Sequence, residues 1–142
     1  MKHSYSKSIS FLFLAIATVF TAIAVTPATD GTVLYIISPK DGDVVSNPVR
    51  VQFGLRGMGV APAGIDKPKT GHHHLLIDVA EMPMMDKPLP SDDNHRHFGG
   101  GQTEVDLTLT PGKHSLQLIL GDMNHVPFSP PLMSETITIT VK

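Results

Sequence analysis

The chain has 142 residues, a formal net charge of −2 and no cysteine. This length predicts one domain able to bury a modest core, and without a basic patch no nucleic-acid partner is expected. With no thiolate, Cys-ligated zinc, iron–sulfur clusters and blue-copper centres are excluded, so any metal must be held by His, Asp, Glu, Met or backbone oxygen.

Lys2 and Lys7 precede an apolar run from Ile9 to Ala24 that closes on Ala22-Ile23-Ala24. Basic start, apolar middle and small-residue close read as a secretory signal peptide over residues 1–24. The alternative is an uncleaved anchor, but the run is shorter than the roughly 20 residues a spanning helix needs. No second apolar run follows, so no membrane span is expected after cleavage. The mature chain would begin near Val25, in the periplasm or outside the cell, with a short tether at 25–32 and a domain at 33–142.

Val33 to Ser38 is rich in β-branched and aliphatic residues and predicts a strand. Pro39-Lys40-Asp41-Gly42-Asp43 predicts a turn, and Val49 to Phe53 alternates apolar with polar as a half-buried strand does. Gly54 to Gly71 has no periodicity and predicts a long loop, a place where function often sits. A third strand runs to Val79, entered directly from His72-His73-His74. Residues 80–103 hold Pro83, Pro88, Pro90 and Gly99-Gly100-Gly101, which oppose helix and central strand. Strands then follow over 104–110, 113–120 and 136–141, with a tight turn at Pro111-Gly112 and a proline-rich loop over 121–134. These six strands, or seven with a short one near 84–90, predict an all-β, immunoglobulin- or fibronectin-like antiparallel sandwich.

Six of the histidines after residue 24 fall in three motifs: His72-His73-His74, His95-x-His97 and Asp122-x-x-His125. Neutral imidazole is the commonest protein ligand for transition metals. In an extended chain, residues i and i+2 share a face, which pairs His72 with His74 and His95 with His97. His73 then points towards the face of Leu75, Ile77 and Val79. If the strands follow immunoglobulin order, the starts of the third strand and of the strand over 104–110, and the end of the strand over 113–120, all lie at one end of the sandwich. The three motifs then meet there, and His114 does not. His114 is expected to be a partly buried packing residue.

Each motif also has an ordinary reading: a solvated strand start, a polar loop, a capped turn. Asp78 shares the parity of His72 and His74, and Asp92 and Asp93 precede His95, so these carboxylates, with Asp122, could orient imidazoles or ligate directly. Among the methionines, Met84, Met85 and Met123 lie in loops and could offer a thioether to Cu(I), although methionine commonly serves as packing filler.

The run Gly71-His72-His73-His74-Leu75-Leu76-Ile77-Asp78 resembles a bacterial family of small exported proteins, the domain-of-unknown-function family 4399. The likeness continues through Asp92 to Thr103, Pro111 to Leu118, Gly121-Asp122 and His125-Val126-Pro127, covering roughly residues 50–141. The resemblance implies export and these boundaries, and brings no established activity. It also implies that further histidines are frequent where this chain has Met123 and Phe128, so a thioether could replace an imidazole here.

The leading expectation is a periplasmic module binding copper first and zinc second, for carriage, buffering or delivery. Its ligands would be His72, His74, His95, His97 and His125, with Asp78, Asp92, Asp93, Asp122 or Met123 as auxiliaries, and a periplasmic protein could be its partner. The alternative is a non-catalytic adhesion or accessory module with structural histidines. An enzyme is less expected: no nucleophile motif is present, and Ser115 and Ser134 lack an elbow context.

Overall fold

The computed structural model describes residues 25–142, and the expected signal peptide lies outside the described residues. Among the described residues the chain forms strands and no helix, arranged as a β-sandwich. One sheet holds β1 (Val33–Ser38), β3 (Val49–Arg56) and β7 (Glu104–Leu107), in the order β1-β3-β7. The other runs β2 (Val44–Val45), β9 (Ile137–Val141), β8 (Gly112–Gly121), β5 (Thr70–Ile77), β4 (Gly59–Val60), with β6 (His95–His97) also paired to β5. The pairings are antiparallel except β2 with β9 and β4 with β5. The expected sandwich and strand order are therefore present: first, second and fourth of the six expected strands in one sheet, third, fifth and sixth in the other.

Period-two alternation builds the core between the sheets. Leu34 and Ile36 of β1, Val51 and Phe53 of β3, Leu75 and Ile77 of β5, and Leu116, Leu118 and Leu120 of β8 all enter one buried cluster, with Ile139 of β9. Leu76, Leu89 and Ile119 form a smaller cluster on the outer face of the larger sheet.

Local assignments shift. β3 continues to Arg56, so the glycine-rich loop is shorter than expected and carries β4. No strand forms at 84–90; the extra strand is β6, made from the His-x-His motif expected as loop. β5 ends at Ile77, because Asp78 takes a φ of 55°, outside the extended region. The turn reverses the parity: Val79 packs against the outer cluster with Leu76 instead of sharing the face of Leu75.

Asp78 sits at the end of β5 remote from the histidine triplet, and there it orients His114, not His72 or His74. Its Oδ2 accepts from His114 Nδ1 at 2.6 Å and its Oδ1 from the Ser115 amide at 2.8 Å. His114 Nε2 lies 2.8 Å from the Thr110 carbonyl. The nearest oxygen to each ring nitrogen, a carboxylate and a carbonyl, can only accept, an arrangement suited to imidazolium, while the Thr110 hydroxyl lies farther from Nε2 at 3.5 Å. The hydrogen bond to Asp78 accordingly holds the His114 pKa above its ordinary value. A raised folded-state pKa stabilises fully below the unfolded value near 6.5 and is lost as pH rises through the folded value. His114→Ala is therefore expected to cost about 1 kcal/mol at pH 6, discounted for the part-exposed carboxylate, and less at pH 8.5. Urea melts at the two pH values check this; an equal cost at both would show that packing alone is lost.

Candidate metal centre

β5 sends alternate side chains to opposite faces. His73 enters the inter-sheet core, fully buried, with its ring 5.2 Å from that of Phe53. His72 and His74 point to the outer face of the larger sheet. Register then decides which of the other histidines joins them. β6 pairs with β5 so that His97 lies opposite His74 and His95 opposite Leu76. Directly opposed residues share a face, so both point outward. His95, however, is displaced by two residues along the strand, roughly 6.6 Å. There it binds Asp92, whose Oδ1 lies 2.8 Å from His95 Nδ1 and also accepts the Asn94 and His95 amides. The shared parity of His95 and His97 does not bring His95 to the group.

His125 arrives from the turn after β8. Asp122 builds that turn: its Oδ1 accepts the Asn124 amide at 2.8 Å and the Val126 amide at 3.0 Å, and its carbonyl accepts the His125 amide at 2.9 Å. Its Oδ2 accepts the Thr26 hydroxyl at 2.6 Å. The buried Asp122 carboxylate is thus occupied as an anchor of the turn. His125 itself has a φ of 67°, a left-handed conformation that costs a non-glycine residue energy and is held by its surroundings. Residues 25–29, ahead of β1, lie against this turn: Ala28 and Ser129 bond through their backbones, as do Ser129 and Thr26.

One ring nitrogen each from His72, His74, His97 and His125 can be chosen so that all four lie within 4.8 Å of one another. His72 Nε2 is 3.1 Å from His74 Nε2 and 3.0 Å from His125 Nδ1. Ligand nitrogens at about 2.0–2.1 Å from a tetrahedral ion stand roughly 3.3 Å apart, so the closest pairs already have coordination spacing. His72 and His74 form a fully buried floor, while His97 is exposed and His125 half-buried. Glycines leave the rings their room. A Cβ on Gly121, which faces His72 across the ladder, would lie 3.0 Å from His74 Nε2; one on Gly99 would lie 2.6 Å from His97 Nε2.

The electrostatics favour neutral rings. Burial, then the neighbouring imidazoles His125 and His97, pushes His72 down to about 4, against an opposing pull from the Asp122 carboxylate. Burial, then the neighbouring His72, His97 and His125, pushes His74 down to about 3, and burial lowers His97. A neutral imidazole nitrogen carries either one N–H or one lone pair. His72 Nε2 can therefore serve one of its two imidazole neighbours, not both. A cation between the rings would accept all the lone pairs at once. The four-histidine group is compatible with metal binding on these grounds.

The remaining candidates lie elsewhere. Asp93 is exposed near Arg96, and Met123 is half-buried beside Ile65 and Asp66. Met82 and Met84 are exposed, whereas Met58 packs on the main core and Met85 and Met133 on the outer cluster. Phe128 is buried in the main core. Sequence reasoning passed over Thr26, Gly99 and Gly121, none of which carries a chemical signature of its own.

Residues 51–142 match the family described as Domain of unknown function (DUF4399). No curated protein and no solved structure matches the chain. The family match takes in well over half of the chain and all four converging histidines, and the protein therefore belongs to the DUF4399 family.

Proposed function

We propose that this protein binds one transition-metal ion, copper in preference to zinc, through His72, His74, His97 and His125, and serves in carriage, buffering or delivery outside the cytoplasm. The observation that carries this is the convergence of four imidazole nitrogens within 4.8 Å from three separate stretches of chain. Imidazole sets suit Cu(II) and Zn(II), and the affinity order of divalent ions favours copper. Two buried ligands would fix the ion, and two at the mouth would leave it open to exchange with a partner protein. The basic-then-apolar segment 1–24 supports export to the periplasm or beyond.

Calorimetric titration of residues 25–142 with Cu(II), Cu(I) and Zn(II), against competing chelators, tests the reading. One-to-one binding is expected, lost in His97→Ala and unchanged within about twofold in His95→Ala, because His95 is held two residues along the strand by Asp92. Weak binding at several sites would sink the reading, and equal losses in the two variants would place the ion elsewhere along β6.

A further inference from the structure

The segment that follows β4 is bonded to every stretch that supplies a ligand. The Ala61 amide donates to the Gly71 carbonyl at 2.9 Å, the Ala63 amide to Gly99 at 2.9 Å, and the Gly64 amide to Met123 at 2.9 Å. Gly71 adjoins His72; Gly99 and Met123 each lie two residues from His97 and His125 respectively. Three consecutive contacts therefore tie together the β5, β6 and post-β8 stretches. Gly64 reaches Met123 with a φ of 79°, a conformation that suits glycine.

Little else holds this segment down. Ala61 is buried, but Pro62 and residues 64–69 are exposed, Ile65 with about half of its surface open. A stretch with few buried apolar contacts and exposed backbone hydrogen bonds belongs to the part of a fold that opens most readily. It is thus attached to all three ligand-bearing stretches and yet weakly attached to the body of the protein.

We propose that residues 61–64 are a positioning strap whose docking sets the spacing of the four histidines and is coupled to metal binding. This rests on the metal-binding reading and adds to it the element that regulates affinity. Coupling is reciprocal: whatever factor the ion contributes to docking, docking contributes to affinity for the ion. Bound metal would hold the strap docked for more of the time, so a partner that lifts it would release the ion.

The test compares wild type with Ala63→Pro/Gly64→Ala, which removes one strap donor and strains the left-handed position of the other. In wild type, backbone amide exchange over 61–64 is expected to slow at least tenfold on adding saturating Zn(II), with exchange around His114 unchanged. The double variant is expected to bind Zn(II) at least tenfold more weakly while melting within a few degrees of metal-free wild type. Zn(II) binding by wild type with no change in exchange over 61–64 overturns the strap and leaves the four-histidine reading standing. A folded double variant of equal affinity overturns it too. No Zn(II) or Cu(II) binding by wild type overturns both. Should the double variant fail to fold, the wild-type exchange measurement decides alone.

Discussion

His74→Leu is expected to abolish tight metal binding while leaving the metal-free protein as stable as wild type, or more so. His74 is fully buried, with its Nδ1 left without a hydrogen-bond partner. A buried polar atom in that state costs about 1–3 kcal/mol, and an apolar side chain of similar size removes the cost. A leucine fits the chemistry next to it, since Ile119 lies opposite in the ladder and Leu76 is its neighbour on the same face. In wild type, an ion at about 100 times its Kd adds roughly 2.7 kcal/mol, on the order of 10 °C in Tm for a domain of this size. Thermal melts with and without Cu(II) or Zn(II) check both halves. The metal-dependent rise should vanish in the variant, and the metal-free Tm should hold. A large fall in the metal-free Tm would instead mark His74 as a structural residue.

Acid is expected to destabilise the metal-free protein steeply between about pH 6.5 and pH 4. His72 and His73 are pushed down to about 4 and His74 to about 3, each by burial first. Neither ring nitrogen of His73 has a partner in hydrogen-bonding geometry, and only the Gln102 backbone opposes its burial. In the folded chain these rings stay neutral in that window, while in the unfolded chain they take up protons near the ordinary value of 6.5. The unfolded state then binds more protons, so stability rises with pH there and is lost as pH falls. Three such groups set a slope of up to roughly 4 kcal/mol per pH unit, enough to exhaust the usual margin within two units. His114, whose shift is upward, works in the opposite sense and gives up its contribution on the alkaline side. Urea midpoints across pH 4–8 check the slope. A flat profile would mean that the buried rings are already protonated or solvated in the folded protein.

The sandwich and its core were legible because alternation marks both faces of a strand, as in Leu116, Leu118 and Leu120 or Ile137, Ile139 and Val141. Alternation also separated His73 from His72 and His74. Register was not legible. Nothing in His95-Arg96-His97 says that His97 rather than His95 stands opposite His74, because that depends on how β6 docks on β5. The proline- and glycine-rich context also hid β6 as a strand. Asp122 looked like a candidate ligand because composition cannot tell a carboxylate turned towards amides from one turned towards a cation. Val79 was placed on the wrong face because the left-handed turn at Asp78 has no sequence signature beyond a residue type that tolerates it.

The spread of the four histidines along the chain has a further consequence. They stand at 72, 74, 97 and 125, so an ion shared among them would close two successive loops of about 25 residues each. Cross-links over loops of that size remove about 3 to 4 kcal/mol apiece of unfolded-chain entropy in the chain-entropy model. A chain without cysteine would thereby gain a removable substitute for two disulfides, one opened by a chelator.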